Sequence, residues 1–344
     1  MQIQNERFAY PRERINARKA FSRCYLALVV FMTVAAVIIS GVSIASIVLL
    51  GPEAALGLMS NPYVQYGLQV VVMYMIAFPL FLLITHGLPK TNYKKRHLGF
   101  GEFVAVFFIS CFAVTVGSLI SSLIAYFIPS SSSGVVDSFV MDAPMWLIIA
   151  VVVIIGPIVE EIAFRKILID RLGIYGDRLA VFVSSVTFGL FHGNIEQLFY
   201  ATVLGVIFGY VYIRTRNIIY PIILHILINF LGSVPALLMT STLADLEAMG
   251  ENAMLAGFEA IEFIVSVGLF LLVRYGFALA GMAVLLYCIF AGKISFPRGR
   301  VVRLKAGTVA RSVLFNIGAI IFYVYFGLEI ALSVNPDLLS FLNA

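Results

Sequence analysis

Charge is scarce in this sequence: Asp, Glu, Lys and Arg make up 12% of its 344 residues, against roughly 25% in an average soluble domain. With a hydrophobic fraction of 61% and a mean hydropathy of +1.02, that scarcity excludes a soluble globular domain and indicates a polytopic membrane protein. Cysteine is nearly absent. Cys24, Cys111 and Cys288 lie inside apolar runs without Cys-x-x-Cys spacing, which excludes a disulfide framework and a thiolate metal site and leaves small core residues. There is no internal repeat and no pair of interrupted apolar segments in matching halves, which speaks against a secondary transporter. The net charge of +5 does not indicate nucleic acid, because the basic residues are scattered in short clusters rather than gathered into one patch. The single tryptophan, Trp146, stands at the start of an apolar run, where an interfacial anchor is expected.

What is present is a series of apolar runs. A span needs about 20 mostly apolar residues, and nine segments qualify, near 24–50, 64–86, 103–128, 145–173, 178–196, 197–213, 217–239, 268–291 and 310–333. The expected fold is therefore all-α, a polytopic transmembrane helical bundle of about nine spans enclosing an intramembrane cavity. A basic leader, 1–23, precedes a single transmembrane domain, 24–344. The first run is too long for a signal-peptide core and reads as a retained helix.

Positive loops stay in the cytoplasm. The leader (Arg7 to Arg23), the loop Lys90 to Arg96, Arg171 with Arg178, Arg214 with Arg216, and the stretch Lys293 to Lys305 alternate with connections at 51–63, 129–144 and 240–262 that hold no Lys or Arg. This places the chain in the cell membrane with a cytoplasmic N-terminus and an outside C-terminus. The stretch 259–292 reads either as one long tilted helix or as an interfacial segment followed by a span. The short turn at 193–197 suggests a tight hairpin. The acidic segment 240–258 would lie outside, where it could cap a cavity. The leader and 292–311 could also touch anionic lipid, although topology alone accounts for their charge.

Ionisable side chains inside spans are costly, at least about 2.5 kcal/mol each at the centre, and mark functional interiors. The fourth run carries Glu160, Glu161 and Arg165, the fifth ends in FGLFHG with His192, and the seventh carries His225 and Asn229. Glu161 and Arg165, four apart, share a helix face and can pair. Glu160 is turned about 100° away and needs a partner on another helix. Counting about 1.5 Å per residue from the basic ends places Glu160 and His192 about 20 Å deep, and His225 and Asn229 about 14 to 20 Å. All four can meet in one layer. His86 and His97 read as interfacial, whereas Asn194 and Glu196 could line an entrance.

Glu160-Glu161-x-x-x-Arg165, Phe188-x-x-x-His192 and His225-x-x-x-Asn229, in that order on separate helices, resemble the three motifs of the CAAX-prenyl-protease and bacteriocin-processing (CPBP) family. These intramembrane proteases include the Ras-converting enzymes. The resemblance spans about 150–235, within a catalytic core at 145–240, and any one motif alone would be weak.

No Ser or Cys lies among the motif residues, so water is the expected nucleophile in peptide hydrolysis. Glu160 with His192 would hold and deprotonate it, while His225 and Asn229 donate to the tetrahedral oxygen. Glu161 and Arg165 would support the turn that presents Glu160, and the resemblance implies the same division of labour. Zinc on Glu160, His192 and His225 is the competing chemistry. Because H-E-x-x-H is absent and the three would come from three helices, a cofactor-free site is the preferred reading. The expected partners are a peptide or membrane-protein substrate and the lipid bilayer, with no nucleic acid. A non-catalytic scaffold or bacteriocin-immunity protein would carry the same residues, and a secondary transporter is a third class.

Overall fold

The computed structural model describes residues 16–91, 94–127, 143–248, 253–296, 306–335 and 338. Among them every regular element is a helix: α1 (Ala17–Leu50), α2 (Pro52–Met59), α3 (Pro62–Thr85), α4 (Phe100–Phe127), α5 (Met145–Tyr175), α6 (Asp177–Phe191), α7 (Ile195–Thr215), α8 (Ile219–Ala248), α9 (Ala253–Phe290), α10 (Ala306–Val313) and α11 (Ile317–Val334). The all-α polytopic bundle expected from composition is the architecture found. Arg7, Arg12 and Arg14 of the leader, Asp137, Asp142 and the serine run, and Arg298 to Lys305 lie outside the described residues.

Among the described residues seven helices are long and apolar enough to cross a membrane: α1, α3, α4, α5, α7, α9 and α11. The two other expected spans take different forms. α6 has only 15 residues, about 22 Å at the usual helical rise, short of a hydrocarbon core about 30 Å thick. α8 is apolar over Ile219–Pro235 and continues to Ala248. Much of the expected outer connection 240–262 is thus helix. Its Thr-Leu-Ala-Asp-Leu-Glu-Ala-Met run favours helix and meets no glycine before Gly250. The stretch 259–292 falls in one helix as far as Phe290. The leader is likewise helical from Ala17, with Asn16 Oδ1 accepting from the Lys19 amide, so Arg18, Lys19 and Arg23 extend α1.

Prolines explain where the helices widen. Val70–Ala77 and Ile149–Ile155 adopt the broader π-helical register just before Pro79 and Pro157. A proline ring clashes with the carbonyl four residues back and donates no hydrogen bond, so one extra residue per turn relieves both. Ile162–Ile169 is also π-helical, although no proline follows it.

α6 and α7 form the expected hairpin. Gly205 and Gly209 bring the two backbones together: a Cβ on Gly205 would stand 2.8 Å from Ser185 Cα. At the hairpin tip Gly193 takes φ +68°, Asn194 Oδ1 caps the Gln197 amide at 2.8 Å, and Asn194 Nδ2 donates to the His192 carbonyl at 3.0 Å. Asn194 therefore closes the turn instead of lining an entrance. One apolar core joins α1, α3, α5, α6 and α11, and a second joins α4, α7 and α8. At the hairpin base, Tyr212 Oη donates to Asp170 Oδ1 at 2.9 Å and Lys166 Nζ to Asp170 Oδ2 at 2.8 Å.

Candidate active site

The polar residues singled out in the sequence converge where α5, α6 and α8 meet. Glu161 and Arg165 are fully buried and pair at 3.0 Å between Oε2 and Nε, as their spacing predicts. The terminal guanidinium nitrogens of Arg165 have no hydrogen-bond partner among the described residues. They are compensated by aromatic faces, the guanidinium carbon lying 4.2 Å from the Phe188 centroid and 5.7 Å from that of Phe208.

His225 is held between the two glutamates. Its Nδ1 lies 2.9 Å from Glu161 Oε1, and its Nε2 lies 3.7 Å from Glu160 Oε2. Glu160 thus finds the interhelical partner that its turned position requires. The carboxylates differ in access: the Glu160 side chain is 30% exposed and that of Glu161 is 0%. Only Glu160 can meet water or substrate without repacking.

His192, at the C-terminal end of α6, directs Nδ1 to the Phe188 carbonyl at 2.7 Å. A carbonyl only accepts, so the proton sits on Nδ1 and the Nε2 lone pair is left for another partner. His192 lies in the electrostatic field of Glu160, His225 and Arg165. Phe188 stands between the imidazoles, with ring centroids 4.9 Å from His192 and 5.8 Å from His225.

Asn229 has a structural partner that sequence reasoning missed: its Nδ2 donates to the Val152 carbonyl at 3.0 Å. In the π-helical stretch the Gly156 amide bonds Val151, so the next amide, that of residue 157, would serve Val152. Residue 157 is proline and has none. Asn229 supplies the missing donor across helices, leaving its second amide hydrogen available.

Other residues join the site without having been singled out. Tyr74 and Tyr200 lie in the field of Glu160. Glu329 of α11 approaches the hairpin tip, its Cβ 3.5 Å from where a Gly193 Cβ would stand, and lies in the electrostatic field acting on Tyr325. A lone acidic residue near the end of the last span carried no motif. Beside Tyr200 and Asn229 a cavity of about 680 Å³ opens between α4, α7, α8 and α9, within the usual range of about 300–1,000 Å³ for ligand pockets. Among the described residues no three His, Cys, Asp or Glu side chains are grouped so as to hold a metal ion.

The family described as type II CAAX prenyl endopeptidase Rce1-like matches residues 142–231, which run from the start of α5 past Asn229. YdiL of Bacillus subtilis (strain 168), named as a membrane peptidase, is 31% identical over 172 residues, covering 47% of this chain and 69% of that protein. The membrane-embedded CAAX protease MroQ of Staphylococcus aureus (strain USA300) is 39% identical over 83 residues, covering 22% of this chain and 34% of MroQ. No solved structure matches the chain. Identity sustained across more than two thirds of a relative is what common descent leaves, and the chain belongs to the Rce1-like CAAX peptidase group of the CPBP family of membrane proteases.

Proposed function

We propose that the chain is an intramembrane endopeptidase that hydrolyses a peptide bond in a membrane-associated peptide or protein, using water activated at Glu160. The observation that carries this reading is the unequal access of the paired carboxylates. Glu161, sealed and paired with Arg165, holds Nδ1 of His225, while Glu160, reachable from outside, faces Nε2 of the same ring.

A water between Glu160 and His192 can donate one O–H to the carboxylate and the other to the His192 Nε2 lone pair. Glu160 then takes the proton as the water oxygen attacks the carbonyl carbon, and later returns it to the leaving amine. His225 in its doubly protonated form donates Nδ1–H to Glu161 and offers Nε2–H to the developing oxyanion, with the spare Asn229 amide hydrogen beside it.

A metal would take the donors Glu160, His192 and His225 and supply Lewis-acid chemistry. Glu161 holding His225 Nδ1 leaves Nε2 as the donor atom, which suits such a site; the cofactor-free reading rests on the lack of an H-E-x-x-H motif in the sequence and on the three donors coming from three helices. The basic clusters support a cytoplasmic N-terminus and an outside C-terminus. In cells carrying the native chain or Glu160→Ala at equal abundance, membrane-peptide profiling is expected to reveal cleavage products only with the native chain, and metal analysis of the purified protein to find no stoichiometric zinc. Products persisting in Glu160→Ala would overturn the assignment. A biological effect that survives without any products would indicate a binding scaffold instead.

A further inference from the structure

The cavity beside Asn229 contains a cation that the hydrolytic chemistry does not use. Arg274 lies in its wall, which is otherwise largely apolar, with the hydroxyls of Ser118 and Ser266. Within the apolar part of α9, Ile261–Phe290, it is 13 residues from one end and 16 from the other, about 20 and 24 Å at the helical rise. Neither end is within reach of a side chain only about 6 to 7 Å long, so Arg274 cannot bring its charge to an interface by extending along the helix. Among the described residues it makes no ion pair and no hydrogen bond.

Its depth matches that of the site. The chain leaving α9 packs on the base of the α6–α7 hairpin: Tyr210 Oη donates to the Ser295 carbonyl at 3.2 Å, and the Arg178 guanidinium lies 5.6 Å from the Phe296 ring centroid. The Phe290 end of α9 is therefore on the side from which α6 rises. Measured from that side, Arg274 is about 24 Å up and His192, 15 residues past Asp177, about 22 Å.

We infer that Arg274 is a specificity residue that binds a carboxylate of an otherwise apolar peptide, orienting it in the cavity so that a bond of its backbone reaches Glu160. A guanidinium in an apolar wall with no partner among the described residues is costly to maintain and matches a carboxylate in planar, two-pronged geometry. Asn229 and Tyr200 line the same cavity, which connects the cation to the reacting groups. The carboxylate can be a chain terminus or an acidic side chain. This inference rests on the endopeptidase reading, but its test reads binding rather than turnover.

The full chain carrying Glu160→Ala, in phosphatidylcholine nanodiscs, is titrated with three versions of an acetylated tetrapeptide of leucine, isoleucine and phenylalanine. These are the free acid, the C-terminal amide, and the amide with one residue changed to aspartate. A carboxylate form is expected to bind about ten-fold or more tighter than the plain amide, the acid and the aspartyl amide showing which carboxylate is read. Adding Arg274→Gln is expected to erase that preference without weakening amide binding, and Arg274→Lys to restore it in part. Equal binding of all three peptides to the chain with Arg274 intact overturns the inference without relying on any variant's folding. So does loss of the preference when phosphatidylglycerol replaces part of the lipid, with that lipid retained by Arg274 but not by Gln, because Arg274 would then hold a lipid phosphate. If the native chain cleaves no peptide yet shows the preference, the endopeptidase reading falls and the carboxylate site remains. If it cleaves without the preference, the reverse holds.

Discussion

Asn229→Ala removes a donor from the Val152 carbonyl, and the size of the loss depends on a proline. Interhelical hydrogen bonds in membrane proteins average only about 0.6 kcal/mol, because an isolated helix finds other partners for the freed group. Here that escape is closed. Pro157 stands where the next backbone donor would be in folded and separated α5 alike, so the cost moves to the upper end of the membrane range, about 1.5 kcal/mol. Pro157→Ala supplies a backbone N–H, and in that background Asn229→Ala is expected to cost about 0.5 kcal/mol or less, a coupling of about 1 kcal/mol. Unfolding free energies of the four proteins in bicelles measure it directly. If the two substitutions add to within about 0.3 kcal/mol, the proline does not create the need for the amide and the explanation fails. Hydrolysis provides a second readout. An Asn229 that also donates to the oxyanion predicts that Pro157→Ala recovers stability but not turnover.

Arg165→Met removes the cation paired with the fully buried Glu161 and leaves it only the N–H of His225, so a loss of about 3–5 kcal/mol and a collapse in folded yield are expected, with partial recovery in Glu161→Leu/Arg165→Met. Gly205→Val forces α6 and α7 apart where the glycine now meets Ser185, with an expected loss of about 1–3 kcal/mol in the same bicelle assay. Tyr212→Phe removes one of two donors to Asp170 while Lys166 keeps the other, so a loss of only about 1 kcal/mol is expected, and activity in the folded fraction should be unchanged.

The helical class and the residues of the candidate site are legible in the sequence because both depend on local signals. Long apolar runs specify spans, and Glu161 with Arg165, or His225 with Asn229, are set four apart by a single helix. Relations between helices were less legible. Nothing in the order of residues says that Asn229 answers to Pro157, although a proline inside a buried helix is always an invitation to look for a substitute donor. Nor does spacing reveal that His225 bridges both glutamates, since that depends on how α8 crosses α5. The expected span 178–196 is longer than α6 because the apolar run to Phe191 is followed closely by the apolar start of α7, whereas Gly193 at positive φ and the Asn194 cap end the helix. The acidic run after Ser241 looked like a connection because it is polar, yet its residues are good helix formers. Glu329 escaped notice because a single carboxylate near a span end has no partner in sequence.

The 15-residue α6 leaves a turn of exposed backbone and polar side chains at a level where a full-length helix would still be in oil. Lipid cannot solvate such a turn, so neighbouring protein has to shelter it. α11 provides part of that shelter, with the Phe326 ring tilted against Phe191, centroids 5.6 Å apart, and Glu329 beside Gly193, although α11 lies far outside the residues matched to the family. The smallest piece able to keep the candidate site in place is therefore larger than the stretch matched to the family. A fragment trimmed to residues 142–231 would expose the turn that carries His192 to acyl chains.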